Sequence, residues 1–167
     1  MTLHELNTLS QPQLKAELIK CCGSSSWVKM MMTHFPADDL VELLEQAEEV
    51  WDECSMEDWK EAFTHHPRIG DTASLAKKFE STAGWAASEQ SGVTGAPPPV
   101  IELLAEGNRL YEEKFGYIFI ISAAGKSAEE ILGLLQLRLH NNQDEELRVA
   151  AEEQNKITKL RIEKLLE

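Results

Sequence analysis

Phe115-Gly116-Tyr117-Ile118-Phe119-Ile120-Ile121-Ser122 is the one run in this sequence that reads strongly as a β-strand. Aromatic and β-branched side chains crowd it, and it carries no charge. A strand needs a partner for its backbone N–H and C=O groups, and no second such run exists in the 167 residues. The run is therefore expected as one buried extended segment inside a helical protein. Its flanks agree. Upstream, Pro97-Pro98-Pro99 leads into an expected helix over about 98–114 that carries Val100, Leu103, Leu104 and Leu110. Downstream, Ser127-Ala128-Glu129-Glu130 has the form of a capping box, and Ile131, Leu134, Leu135 and Leu139 follow at helical spacing.

The remainder is punctuated the same way. Ser10-Gln11-Pro12-Gln13 offers a capping hydroxyl, a first-turn proline and a glutamine at the reciprocal position, with Leu14 and Leu18 on one face and Gly23 as the stop. Ser26 is expected to cap a short helix bearing Trp27, Met30 and Met31, ended by Pro36. Asp38 or Asp39 opens the next, with Leu40, Leu43, Leu44, Ala47 and Trp51 in register, and Ser55-Met56-Glu57-Asp58 starts another containing Trp59 and Phe63. A loop follows at His65-His66-Pro67-Arg68-Ile69-Gly70-Asp71, because the residue before a proline is pushed out of helical geometry. Helices are expected over 72–80 and 82–91, and a last one from near Asp144 to about Leu166. The reading is all-α: a single-domain multi-helix bundle over residues 1–167, with one buried extended segment.

With 16 basic against 29 acidic residues the chain carries a net charge of −13. That argues against nucleic acid and against docking on an anionic membrane, both of which need clustered Lys and Arg. A content of 43% hydrophobic and 27% charged residues suits a globular core. The stretch 38–61 holds eleven carboxylates against one lysine, a pattern expected on a solvated helix face. Cys21, Cys22 and Cys54 form no CxxC pair and are expected as reduced thiols. The opening Met1-Thr2-Leu3-His4-Glu5 lacks the basic and apolar segments of a secretory leader, so a cytoplasmic location is expected.

Three features bear on chemistry. The histidines at 4, 34, 65, 66 and 140 contain no HExxH and no i, i+4 pair, which argues against zinc. Ala123-Ala124-Gly125-Lys126-Ser127 ends like a phosphate-binding loop, but Ile120 stands where that loop needs glycine, which argues against a nucleotide. The third feature is His66-Pro67-Arg68-Ile69-Gly70-Asp71 followed by Glu89-Gln90. Proline stiffens the loop and glycine permits a tight turn, so a histidine held there can move a proton near neutral pH. Arg68 offers fixed positive charge for a carboxylate, and Glu89-Gln90 offer an acceptor and an amide for a heterocycle rich in N–H groups.

Taken in order, His66-Pro67-Arg68-Ile69-Gly70, Trp85-Ala86-Ala87-Ser88-Glu89-Gln90-Ser91-Gly92-Val93, the run from Phe115 through Ser127, Arg138-Leu139, Glu145-Glu146-Leu147, Lys156-Ile157 and Leu160-Arg161 resemble the 2-oxo-4-hydroxy-4-carboxy-5-ureidoimidazoline (OHCU) decarboxylases of urate degradation. The resemblance covers essentially the whole chain. It implies an all-helical, cofactor-free enzyme, a homodimer, that forms (S)-allantoin and CO2. It implies His66 as proton donor and Glu89 as a residue of the substrate site, where its charge could either keep the histidine protonated or orient the substrate. It implies substrate contacts at Pro67 and at Ala86 and Gln90. Ala86 stands at a position where animal members have serine. Phe119, Ile120, Ile121, Ser122 and Ala123 match the family stretch whose backbone borders the substrate. The competing reading is a helical protein–protein interaction module built on the Met-Trp region and the acidic face, which would show no saturable turnover.

Overall fold

The computed structural model of the chain describes residues 1–71 and 82–167. The helix expected over 72–80 lies outside the described residues. Among the described residues there are nine α-helices and no strand. They form two compact units: Met1–Ala62 with Gln154–Glu167, and Phe63–Glu153.

The first unit contains α1 (Leu3–Asn7), α2 (Gln11–Cys21), α3 (Ser25–Met32), α4 (Leu40–Glu53), nearly all of α5 (Met56–Phe63) and the end of α9 (Gln143–Leu165). Side-chain oxygens start these helices by accepting otherwise unpaired first-turn N–H groups. Ser10 and Gln13 form the expected reciprocal box. Asp39, of the two candidates, caps α4 by accepting from the Glu42 N–H at 2.8 Å. α3 begins two residues earlier than expected. Ser24 has the extended backbone of a cap and accepts from the Trp27 N–H at 3.2 Å, whereas the Ser26 hydroxyl donates to Asp58. α1, which the apolar pattern does not reveal, is held by a Thr2–Glu5 box.

Along α4, Leu43, Ala47, Val50 and Trp51 are buried, while Glu45, Glu49, Asp52 and Glu53 are exposed, so much of the acidic stretch is a solvated face. The Trp27 and Trp59 indoles donate to the carbonyls of Ala47 and Trp51, which satisfies the polar edge of each buried or half-buried ring. All three cysteines are free thiols. Burial pushes Cys21 and Cys22 up to about 12 and Cys54 up to about 11. They are therefore neutral, unreactive packing groups at physiological pH.

The second unit contains α6 (Ala83–Glu89), a 3₁₀ turn (Ser91–Val93), α7 (Pro98–Phe115), α8 (Ala128–Arg138) and the start of α9. α7 opens on Pro98 and Pro99, whose missing N–H groups cost nothing in a first turn, and stops at Gly116, which adopts φ +82°. α7 and α8 approach closely: a Cβ added at Gly107 would lie 2.6 Å from Leu135 Cδ2. The core of this unit includes Ile69, Val93, Leu104, Tyr111, Phe115, Phe119, Ile121, Ile131 and Leu135. The β-like run contributes Phe119, Ile120 and Ile121, all buried and outside any sheet, as the missing partner strand requires. None of the helices among the described residues is long and apolar enough to cross a membrane.

Candidate functional site

The loop after α5 is built by two turns. The His66 N–H donates to the Phe63 carbonyl at 3.3 Å, and the Asp71 N–H donates to the Arg68 carbonyl at 3.2 Å. Gly70 sits third in that second turn with φ +85°, a backbone that side-chain-bearing residues rarely adopt. Pro67 and Ile69 are buried, whereas His66 is half-buried and His65 is exposed. The loop is anchored at two more points. The Asn108 amide on α7 donates to the Ile69 carbonyl at 3.0 Å, and the Gln90 side-chain oxygen accepts from the Gly70 N–H at 3.0 Å.

Gln90 therefore joins the second motif to the first. It follows α6, on whose inner side Ala86 is buried. Glu89, the last residue of α6, is only 9% exposed. A carboxylate at the negative end of a helix is electrostatically disfavoured, and burial adds a desolvation cost. The helix expected to run to 91 stops here, and 91–93 tighten into the 3₁₀ turn.

Gly92 joins the second motif to the third. A Cβ on Gly92 would lie 1.9 Å from the Lys126 carbonyl oxygen, so only hydrogen fits between the two backbones. On the far side of that contact, residues 123–126 form a turn closed by the Lys126 N–H to the Ala123 carbonyl at 3.0 Å. The Lys126 ammonium folds back on the Ser122 carbonyl at 2.9 Å. Phe119, Ile120, Ile121, Ser122 and Ala123, all buried, lead into that turn.

Arg68 is directed elsewhere. Its Nε and Nη2 grip the two carboxylate oxygens of Glu112 on α7 at 2.9 and 2.8 Å, and its side chain is 51% exposed. That bond and the Glu112 charge raise the Arg68 guanidinium further above its usual range. A cleft of about 740 Å³ opens on this side of the loop, lined by residues 68–71 and by α7 residues including Ile101, Asn108 and Glu112. His66, Glu89, Gln90 and residues 119–123 do not line it. Among the described residues no group of three or more His, Cys, Asp or Glu side chains is placed to hold a metal ion.

Sequence reasoning gave no role to a buried polar cluster behind the third motif. Arg138, at the end of α8, donates through Nε to Glu146 at 2.7 Å and through Nη1 to the Ile120 carbonyl at 2.8 Å. Glu146 is fully buried and also accepts from the Tyr111 hydroxyl at 2.6 Å and the Asn141 amide at 3.0 Å. Burial, with the Glu146 carboxylate second, pushes the Tyr111 phenol far above its usual range, so it stays a donor. The available signal was periodicity, since Arg138 continues the buried stripe of Ile131 and Leu135 at i+7 and i+3.

The profile of one protein family, described as OHCU decarboxylase, matches residues 7–163. The chain is 38% identical over 146 residues to the uric acid degradation bifunctional protein TTL of Arabidopsis thaliana, covering 87% of this chain and 45% of that protein. It thus spans under half the length of that bifunctional relative. It is 23% identical to a 2-oxo-4-hydroxy-4-carboxy-5-ureidoimidazoline decarboxylase of Halalkalicoccus jeotgali, over 99% of this chain and 92% of that one. Among solved structures it is similar to an OHCU decarboxylase crystallised in the presence of (S)-allantoin. The two share 38% identity and a TM-score of 0.75, over 90% of this chain and 96% of that one.

Proposed function

Since this chain belongs to the OHCU decarboxylase family, we propose that it decarboxylates 2-oxo-4-hydroxy-4-carboxy-5-ureidoimidazoline to (S)-allantoin and CO2, with residues 1–167 acting as one domain of a cytoplasmic homodimer. The observation that carries this reading is the linkage of three separated motifs. Gln90 bonds the His66 loop, and Gly92 seats its own turn against the segment that follows residues 119–123.

The chemistry needs little from the protein. The carboxylate leaves as CO2, and its bonding pair stays on the imidazoline, whose electron-withdrawing atoms delocalise it. The heterocycle is its own electron sink, and the reading requires neither organic cofactor nor metal. His66, in its protonated form, delivers a proton to one face, a contribution of about 10²- to 10⁴-fold. Gln90, Ala86, Pro67 and the backbone of residues 119–123 hold one orientation of the substrate. Arg68, its charge matched by Glu112, contributes by fixing the loop.

The test is chiral detection of allantoin from freshly generated substrate, with and without the protein. Saturable formation of an excess of the S enantiomer is expected. Racemic product at the uncatalysed rate would sink the proposal. Light scattering should give a mass near twice 18.8 kDa, and a clean monomer at micromolar concentration would remove the dimer.

Glu89→Gln separates the two roles open to that carboxylate. The fold should hold, because glutamine keeps the size of the side chain and one acceptor oxygen. kcat/KM should fall about tenfold or more, equal to roughly 1.4 kcal/mol of transition-state binding. If Glu89 supports protonated His66, the limb on which activity falls with rising pH moves to lower pH in the variant. If it only orients the substrate, the rate drops with that limb in place. Wild-type kinetics would deny Glu89 any part.

A further inference from the structure

Residues 119–123 lie outside any helix or sheet, so their backbone polar groups need partners from elsewhere. Charged side chains fill the place of a neighbouring strand. The Ile120 carbonyl accepts from Arg138 Nη1 at 2.8 Å. The Ser122 N–H donates to Glu153 Oε1 at 3.1 Å. These two bonds come from different helices, α8 and α9, and fall two residues apart on the same stretch. Arg138 also lies over the Phe119 ring, with its guanidinium carbon 4.4 Å from the ring centroid. Its own position is fixed, because Nε and Nη2 lie 2.7 and 2.6 Å from Glu146 Oε1. Glu153 and Glu146 stand two helical turns apart on the buried side of α9, with Ala150 buried between them.

We propose that Arg138 and Glu153 are positioning residues that set the backbone of residues 119–123 against the substrate, by bonding the Ile120 carbonyl and the Ser122 N–H. The proposal rests on the decarboxylase reading above, in which that backbone borders the substrate. Neither side chain touches substrate in this account. Both act through backbone placement, where a shift of about 1 Å in a substrate-orienting element can cost on the order of 10²-fold in rate.

The test compares Glu153→Ala, Glu153→Gln and Arg138→Lys with the wild-type chain by two readouts. The first is amide hydrogen exchange at Ser122, which needs no substrate. Glu153→Ala should speed that exchange by about tenfold or more, whereas Glu153→Gln keeps an acceptor oxygen and should retain the protection. The second is turnover with chiral analysis. Glu153→Ala and Arg138→Lys should each lose about tenfold or more in kcat, with a smaller change in KM and a lower excess of (S)-allantoin. Glu153→Gln should restore both. Lysine keeps a cation for Glu146 but lacks the planar fork that reaches Glu146 and the Ile120 carbonyl together. Unchanged Ser122 exchange in Glu153→Ala would overturn the clamp. Faster exchange with wild-type kcat and enantiomeric excess would overturn its positioning role. An inactive wild-type chain would instead overturn the decarboxylase reading, and the exchange comparison would still decide the clamp.

Discussion

Replacing His66 with alanine should cut turnover by about 10²-fold or more while leaving the fold intact. The two adjacent histidines make the contrast sharp. His65 is exposed, and His66 is half-buried at the head of a loop held by Asn108, Gln90 and the Arg68–Glu112 pair. None of those three anchors uses the His66 imidazole, so all three remain available in His66→Ala. A general acid loses its whole contribution when its proton is gone, whereas a loop side chain contributes little to core packing. His65→Ala should therefore behave nearly as wild type. The measurement is steady-state turnover of both variants beside their circular dichroism. Equal losses in the two, or full activity in His66→Ala, would remove His66 as the proton donor.

The largest loss of stability is expected from Glu146→Ala. Glu146 is 0% exposed and takes bonds from Arg138, Tyr111 and Asn141. An intact buried ion pair adds little net stability, because desolvation offsets attraction. Removing one partner is different, for it leaves the other charge buried and uncompensated, at a cost of about 3–5 kcal/mol. Against a total stability of about 5–15 kcal/mol that is a severe change. Glu146→Gln, which keeps the shape and one acceptor, should lose less. The exposed Arg109–Glu106 pair is the control: Glu106→Ala should leave the unfolding midpoint unchanged, since solvent already screens that contact. Urea unfolding of the three variants checks the order, and a Glu146→Ala midpoint equal to that of Glu106→Ala would refute it.

Much of the fold is legible in the sequence because helix starts are local events. Ser10, Asp39 and Ser127 cap helices within a few residues of their own positions, so a short window contains the physics. The lone β-like run was equally decisive, since a strand without a partner has only one outcome. The choice of Ser24 over Ser26 was less accessible, because either hydroxyl can cap and the Asp58 side chain that engages Ser26 is 32 residues away. The site divides along the same line. Gly70 and its turn could be read from local chemistry. The Arg68–Glu112 pair and the Gly92–Lys126 approach depend on chain segments more than 30 residues apart. Arg138 and Glu146 were visible as letters in a motif, but an ion pair becomes a core element only when helices bury it from both sides.

The segment that Arg138 and Glu153 hold also has a hazard of its own. Tyr117-Ile118-Phe119-Ile120-Ile121 combines high β-propensity with high hydrophobicity, no charge and no proline, the composition of an aggregation-prone stretch. In the native chain, Phe119, Ile120 and Ile121 are buried, and helix-borne side chains engage its edge at Ile120 and Ser122. Side chains can satisfy those groups as a strand would, yet they offer no template for a further strand to join. That protection lasts only while α8 and α9 stay docked on the segment. Once they separate, the run is a free strand edge, and self-association between chains competes with refolding. Heating is therefore expected to be one-way, with a second scan after cooling recovering little of the first transition, and resistance to heat would then be a rate of opening set by how slowly those helices let go.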